Sequence, residues 1–95
     1  MRFEVRGENH FKNALSDDIS LGGTSFVNDK FIAPKTTLRM QINLLNHIIN
    51  PIAKVSWVTP VAHSDRYRMG VEFLELNNPE KNYLNDYICL QTGNL

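Results

Sequence analysis

Within this 95-residue chain, the stretch Asp18-Ile19-Ser20-Leu21-Gly22-Gly23 has the residue types and spacing that could do chemistry. On an extended backbone successive side chains alternate, so Asp18 and Ser20 share one face and Ile19 takes the other. A carboxylate and a hydroxyl then stand side by side, followed by glycines that let a ligand approach the backbone. An ionised Asp accepts two hydrogen bonds at once, which suits the adjacent N1–H and N2–H of a guanine edge. The same residues also suit a plain turn, because Asp and Ser cap corners and Gly-Gly permits a positive φ. Both readings stand on these residues alone.

Other chemistry finds little support. His10, His47 and His63 fall in three separate turn-like stretches and read as exposed loop histidines. No His-x-x-x-His or Cys-x-x-Cys spacing accompanies them, so no metal site is expected. Glu72 and Glu75 lie near one strand end without a second acid placed for acid/base work. With neither a phosphate loop nor a nucleophile elbow, the expectation is a binding protein without a cofactor and not an enzyme. Ten basic and ten acidic residues balance to a net charge of zero, which argues against a nucleic-acid polymer as partner. The most apolar stretch, Ile48 to Val58, is broken by Asn50, Pro51, Lys54 and Ser56. A bilayer needs about 20 apolar residues, so no direct membrane insertion is expected. Cys89 is alone and Met1 to Arg6 has no apolar signal region, which makes a cytoplasmic location the expectation.

The elements that must position Asp18 and Ser20 follow from a period of two. Phe3 and Val5 alternate with Arg2, Glu4 and Arg6, and Leu38 to Leu44 alternates without a fault over seven residues. Ala53 to Trp57 and Tyr67 to Phe73 repeat the pattern, and short strands are predicted around Asn13 to Ser20 and Thr24 to Val27. Half-buried antiparallel strands of this kind, six in a short chain, predict a barrel or tight sandwich. Alternation puts Trp57 on the apolar face with Ala53 and Val55, as a core anchor; the alternative is a base-stacking platform. Beyond Leu76 the period changes. Asn78, Pro79 and Glu80 read as N-cap, first helical position and an acid in the first turn. Tyr83, Leu84, Tyr87 and Ile88 recur at helical spacing, and Gly93 is placed to end the helix. That apolar stripe is expected to lie on the barrel, the alternative being a partner chain. The whole chain, 1–95, reads as one domain, with a barrel over about 2–76 and a helix over about 79–91.

Asp18-x-Ser20-x-x-Gly23 is followed by Val55-Ser56-Trp57-Val58 and then by Tyr67-Arg68-Met69-Gly70-Val71-Glu72-Phe73. In order and spacing these resemble the PilZ domain family, and the likeness runs from about Phe3 to Leu90. The resemblance implies a mainly β fold, a six-stranded antiparallel PilZ-like β-barrel with one C-terminal helix, in agreement with the periodicity. It implies binding of cyclic di-GMP, a bacterial second messenger, with Asp18, Ser20 and Gly23 as the barrel half of the site. The other half in that family is an Arg-x-x-x-Arg clamp on a flexible segment ahead of the first strand. Arg2 and Arg6 carry that spacing, but they fall in what reads as the first strand itself, only eleven residues before Asp18. Extended, their roots would stand about 13 Å apart on the wet face. Arg39, Lys54, Arg66 and Arg68 face outward from later strands, as substitute cations or as ordinary solvated charges. The function implied is a receptor that passes the second-messenger level to a bacterial protein partner in motility, type IV pilus, biofilm or exopolysaccharide control. The alternative is an adaptor of the same fold that works by protein contact alone, through a strand edge or the Tyr83–Ile88 stripe.

Overall fold

The computed structural model describes residues 1–5, 12–13, 16–44 and 47–92. Eight strand segments precede one helix: β1 (Arg2–Val5), β2 (Lys12–Asn13), β3 (Ser16–Ile19), β4 (Gly23–Asn28), β5 (Thr37–Leu44), β6 (His47–Ile49), β7 (Ile52–Pro60), β8 (Tyr67–Glu75) and α1 (Asn78–Thr92). They reduce to the six strands expected. β6 and β7 follow one another along the same edge of β5, and Asn50-Pro51 is the break between them. Pro51 has no N–H to give the ladder, yet its carbonyl still accepts the Met40 N–H at 3.0 Å. β2 and β3 fall in the predicted Asn13 to Ser20 region as two segments, with residues 14 and 15 outside the described ones.

All pairings are antiparallel, in the order β2-β1-β5-β7-β8-β4-β3, with β6 beside β5. β2 and β3 are the two ends of this path, but Asn13 and Ser16 are three residues apart in the chain. At 3.8 Å between successive Cα atoms they stand at most about 11 Å apart. The sheet must therefore curl back on itself, and its concave side is the core. Phe3 on β1 and Phe26 on β4 meet across it with ring centroids 5.0 Å apart. Leu38, Met40, Ile42 and Leu44 are all buried, as the unbroken alternation of β5 predicts. Burial of each such side chain contributes about 1.5–3 kcal/mol.

α1 packs on β5 and β6. Leu84 is fully buried, and the Tyr83 ring stacks on His47 with centroids 3.7 Å apart and planes 9° from parallel. The helix stripe thus covers the sheet's own core. The cap is Asn77 and not Asn78: its Oδ1 accepts the Glu80 N–H at 2.9 Å, while Glu80 Oε1 accepts the Asn77 N–H at 3.3 Å. This reciprocal pair is a capping box, and it leaves Pro79 inside the first turn. Glu80 Oε2 also accepts the Asn50 N–H at 2.8 Å, tying the helix start to the bend between β6 and β7. His47 is therefore a strand residue beneath the helix, a correction to its reading as a loop histidine. His63 does sit in a turn, with φ 59°. His10, Arg6 and Gly93 lie outside the described residues. Among the described residues, no helix is long and apolar enough to cross a membrane.

Candidate functional site

Register assembles the site from four strands. Asp18 on β3 lies opposite Ser25 on β4, Ser25 opposite Gly70 on β8, and Gly70 opposite Trp57 on β7. Two residues along, Gly23 lies opposite Glu72, and Glu72 opposite Lys54. Both rows face outward, while the row between them, Ile19, Thr24, Val71 and Val55, faces in. Ser25, Gly70 and Gly23 occupy the middle of the outward rows, where larger side chains would otherwise stand. The result is a cleft of about 350 Å³ lined by Asp18, Ser20, Gly22, Gly23, Ser25, Ser56, Trp57, Gly70 and Glu72 among others.

Asp18 is exposed at the cleft wall, and the Thr24 hydroxyl donates to its backbone carbonyl, which pins β3 at that point. Ser20 is turned into its own corner. Its Oγ accepts the Gly22 N–H at 3.3 Å and donates to the Gly23 carbonyl at 3.3 Å, while its backbone N–H donates to the same carbonyl at 2.8 Å. Neither glycine of the corner has a left-handed φ, so positive φ is not what the glycines supply. Gly23 is required by packing, because a β-carbon there would run into the Val71 carbonyl of β8. The Gly22 carbonyl accepts the Phe73 N–H at 2.8 Å and carries the β4–β8 pairing past the end of β4.

Trp57 departs from the expectation of a core anchor. Val55 pairs with Val71 but Trp57 pairs with Gly70, so Ser56 is an extra residue and β7 bulges. One inserted residue flips every later side chain to the opposite face. Trp57 consequently lies outside, 42% exposed, and Val58 takes the inward position beside Met69. The indole, through Nε1, Cε2 and Cζ2, fills the space where a β-carbon at Gly70 would stand. The adjacent apolar pair Trp57-Val58, which breaks the alternation, is the sequence signal of this flip. Glu72, with no role assigned by local spacing, also reaches the cleft, and only the β4–β8 register reveals it.

The described candidate cations Arg2, Arg39, Lys54, Arg66 and Arg68 do not gather at the cleft. Arg2 lies in β1 with Nη1 donating to Gln41 Oε1 at 3.1 Å, and it does not line the cleft. Arg39 pairs with Glu4 at 3.2 Å on the same β1–β5 surface. Lys54 pairs with Glu72 at 3.6 Å at the cleft edge. Arg66 and Arg68 are exposed, Arg66 just before β8 and Arg68 on its outer face between Val27 and Thr59. Among the described residues no three His, Cys, Asp or Glu side chains form a metal-binding group.

Residues 2–89 match the PilZ domain family. The structure is similar to that of the inhibitor of motility MotI/DgrA from Bacillus subtilis, with a TM-score of 0.71 at 20% sequence identity. The match covers 98% of this chain and 46% of that one, so the chain spans less than half that protein's length. At this identity the likeness concerns the fold. No curated protein sequence matches the chain.

Proposed function

Because the chain belongs to the PilZ domain family, we propose that it is a receptor module for cyclic di-GMP that passes the ligand's presence to a protein partner. The observation that carries this reading is the convergence of Asp18, Ser20 and Trp57 on one cleft floored by Gly23, Ser25 and Gly70. A guanine fits these groups chemically. Its ring face stacks on the indole, and such stacking contributes roughly 1–3 kcal/mol per base. Its N1–H and N2–H donate to the Asp18 carboxylate, a charge-assisted pair that adenine, lacking both donors, cannot reproduce. Ser20 joins the ligand by rotating its hydroxyl out of the corner it now closes. Arg2 and Arg6 have the spacing of the family's clamp, but Arg2 would have to leave Gln41 and the β1–β5 pairing to reach a ligand.

The partner is proposed to be a bacterial protein of motility, pilus, biofilm or exopolysaccharide control. Leu21 and Leu74, both about half exposed, flank the Gly22–Phe73 hydrogen bond beside the cleft, where an ordered ligand would border them. A ligand-independent adaptor of the same fold would use such a surface without the cleft.

Calorimetric titration of cyclic di-GMP tests the reading. Wild type is expected to bind in the micromolar range, and Asp18→Ala to bind at least tenfold more weakly with an unchanged melting temperature. An absence of heat from wild type at micromolar concentrations rejects the receptor. Capture of a motility or pilus partner that survives Asp18→Ala would then favour the adaptor.

A further inference from the structure

Resting on the receptor reading, we propose that Ser25 is the residue that recognises O6 of a guanine seated in the cleft, and so sets the preference for a 6-oxopurine. Asp18 alone cannot complete that edge. N1–H and N2–H of guanine donate to a carboxylate, but O6 beside them is an acceptor, and an ionised carboxylate has no proton to give. Glu72, the other ionisable side chain lining the cleft, has the same deficiency. O6 therefore needs an uncharged donor.

Among the described residues, four side-chain hydroxyls and the indole N–H line the cleft. The Ser20 hydroxyl closes the Gly22–Gly23 corner, the Thr24 hydroxyl donates to the Asp18 carbonyl, and the indole Nε1 lies against Gly70. Ser56 stands on β7, with β8 and β4 between it and β3. Ser25 is the fourth. Its register partners are Asp18 on one side and Gly70 on the other, and alternation along β4 turns it outward between the buried Thr24 and Phe26. Neighbouring strands stand about 4.8 Å apart, which leaves Asp18 and Gly70 about 10 Å apart with Ser25 midway. The indole of Trp57 covers Gly70. A base that touches both the indole and the Asp18 carboxylate therefore lies over Ser25, and O6, next to N1–H, comes within reach of that hydroxyl.

Calorimetric titration of cyclic dinucleotides carrying guanine, 6-thioguanine or hypoxanthine tests this on wild type, Ser25→Ala, Ser25→Thr and Ser20→Ala. Thioguanine keeps N1–H and N2–H but replaces O6 by sulfur, a weak acceptor, whereas hypoxanthine keeps O6 and loses the N2 donor that reports on Asp18. Wild type is expected to prefer guanine over 6-thioguanine about tenfold. Ser25→Ala removes the donor without filling the cleft. It should weaken the guanine ligand about tenfold and bring it within about twofold of the 6-thioguanine one, while the preference for guanine over hypoxanthine persists. Ser25→Thr should retain the preference for guanine over 6-thioguanine, whatever its added methyl does to overall affinity. Equal weakening of all three ligands by Ser25→Ala would overturn the proposal, because the effect would then be on the cleft's shape. Loss of the 6-thioguanine discrimination in Ser20→Ala but not in Ser25→Ala would overturn it too, assigning O6 to the corner hydroxyl. Wild type binding none of the three rejects the receptor reading itself, whereas wild-type binding that Ser25→Ala leaves unchanged rejects the role of Ser25 alone.

Discussion

The outer surface of the curled sheet is built in two ways. On β1 and β5 the outward side chains meet their register partners: Arg2 bonds Gln41, and Glu4 pairs with Arg39. Across β3, β4, β8 and β7 the same outward positions hold Asp18, Ser25, Gly70 and Trp57, and the middle of the row is almost bare. One region is filled by complementary long side chains. The other gains a cleft by omission, through two glycines and a serine, together with one inserted residue that turns an indole outward. A cleft therefore arises without any change of architecture, from side-chain size and a shift of parity.

The largest effects should come from refilling the bare row. Gly23→Ala drives a β-carbon into the Val71 carbonyl, and neither backbone can yield without breaking the β4–β8 ladder. Overpacking of this sort costs about 2–3 kcal/mol, which lowers the melting temperature by on the order of 10–20 °C in a domain of this size. Gly22→Ala is the control. Its β-carbon would meet only Ser20 Oγ at 4.0 Å and its φ is not left-handed, so stability should change by less than about 0.5 kcal/mol. Equal damage from the two would mean that conformational freedom, and not close strand approach, governs the corner.

Gly70→Ala comes next, because here the obstacle is a side chain that can move. The indole has to lift from β8, at a stability cost of about 1–2 kcal/mol. Trp57 is the single tryptophan, so its emission should shift to the red and become more readily quenched by acrylamide. If the ligand stacks on the indole, cyclic di-GMP affinity falls in parallel. An unchanged emission spectrum would show that the ring does not rest on Gly70 in solution.

The contrast between the regions also explains which features could be read in advance. The β5 core row depends only on local alternation, so Leu38, Met40, Ile42 and Leu44 were predictable from their own segment. Asp18 and Ser20 share a face for the same reason. Trp57 depends on a bulge, and a bulge is a property of β7 and β8 together, fixed by which residue Gly70 meets. Glu72 joins the cleft through its register with Gly23, again a non-local fact. At the helix start two adjacent asparagines could each serve as cap. The choice of Asn77 follows from Glu80, whose two carboxylate oxygens reach the Asn77 and Asn50 N–H groups at once.

The smallest effect sharpens the comparison most directly, through the ion pairs at the two surfaces. Arg39 is 62% exposed but Glu4 only 12%, and the pair closes at 3.2 Å. Lys54 and Glu72 are 41% and 56% exposed and stand 3.6 Å apart. The second pair lacks a largely buried carboxylate, and its longer separation weakens it further. A double-mutant cycle on Glu4 and Arg39 should return a coupling of about 0.5–1 kcal/mol, and one on Lys54 and Glu72 about 0.2 kcal/mol. A looser pair leaves Glu72 at the cleft edge easier to displace than Glu4 on the filled surface. A coupling at Lys54–Glu72 as large as that at Glu4–Arg39 would show that the cleft edge is as firmly latched as the filled surface.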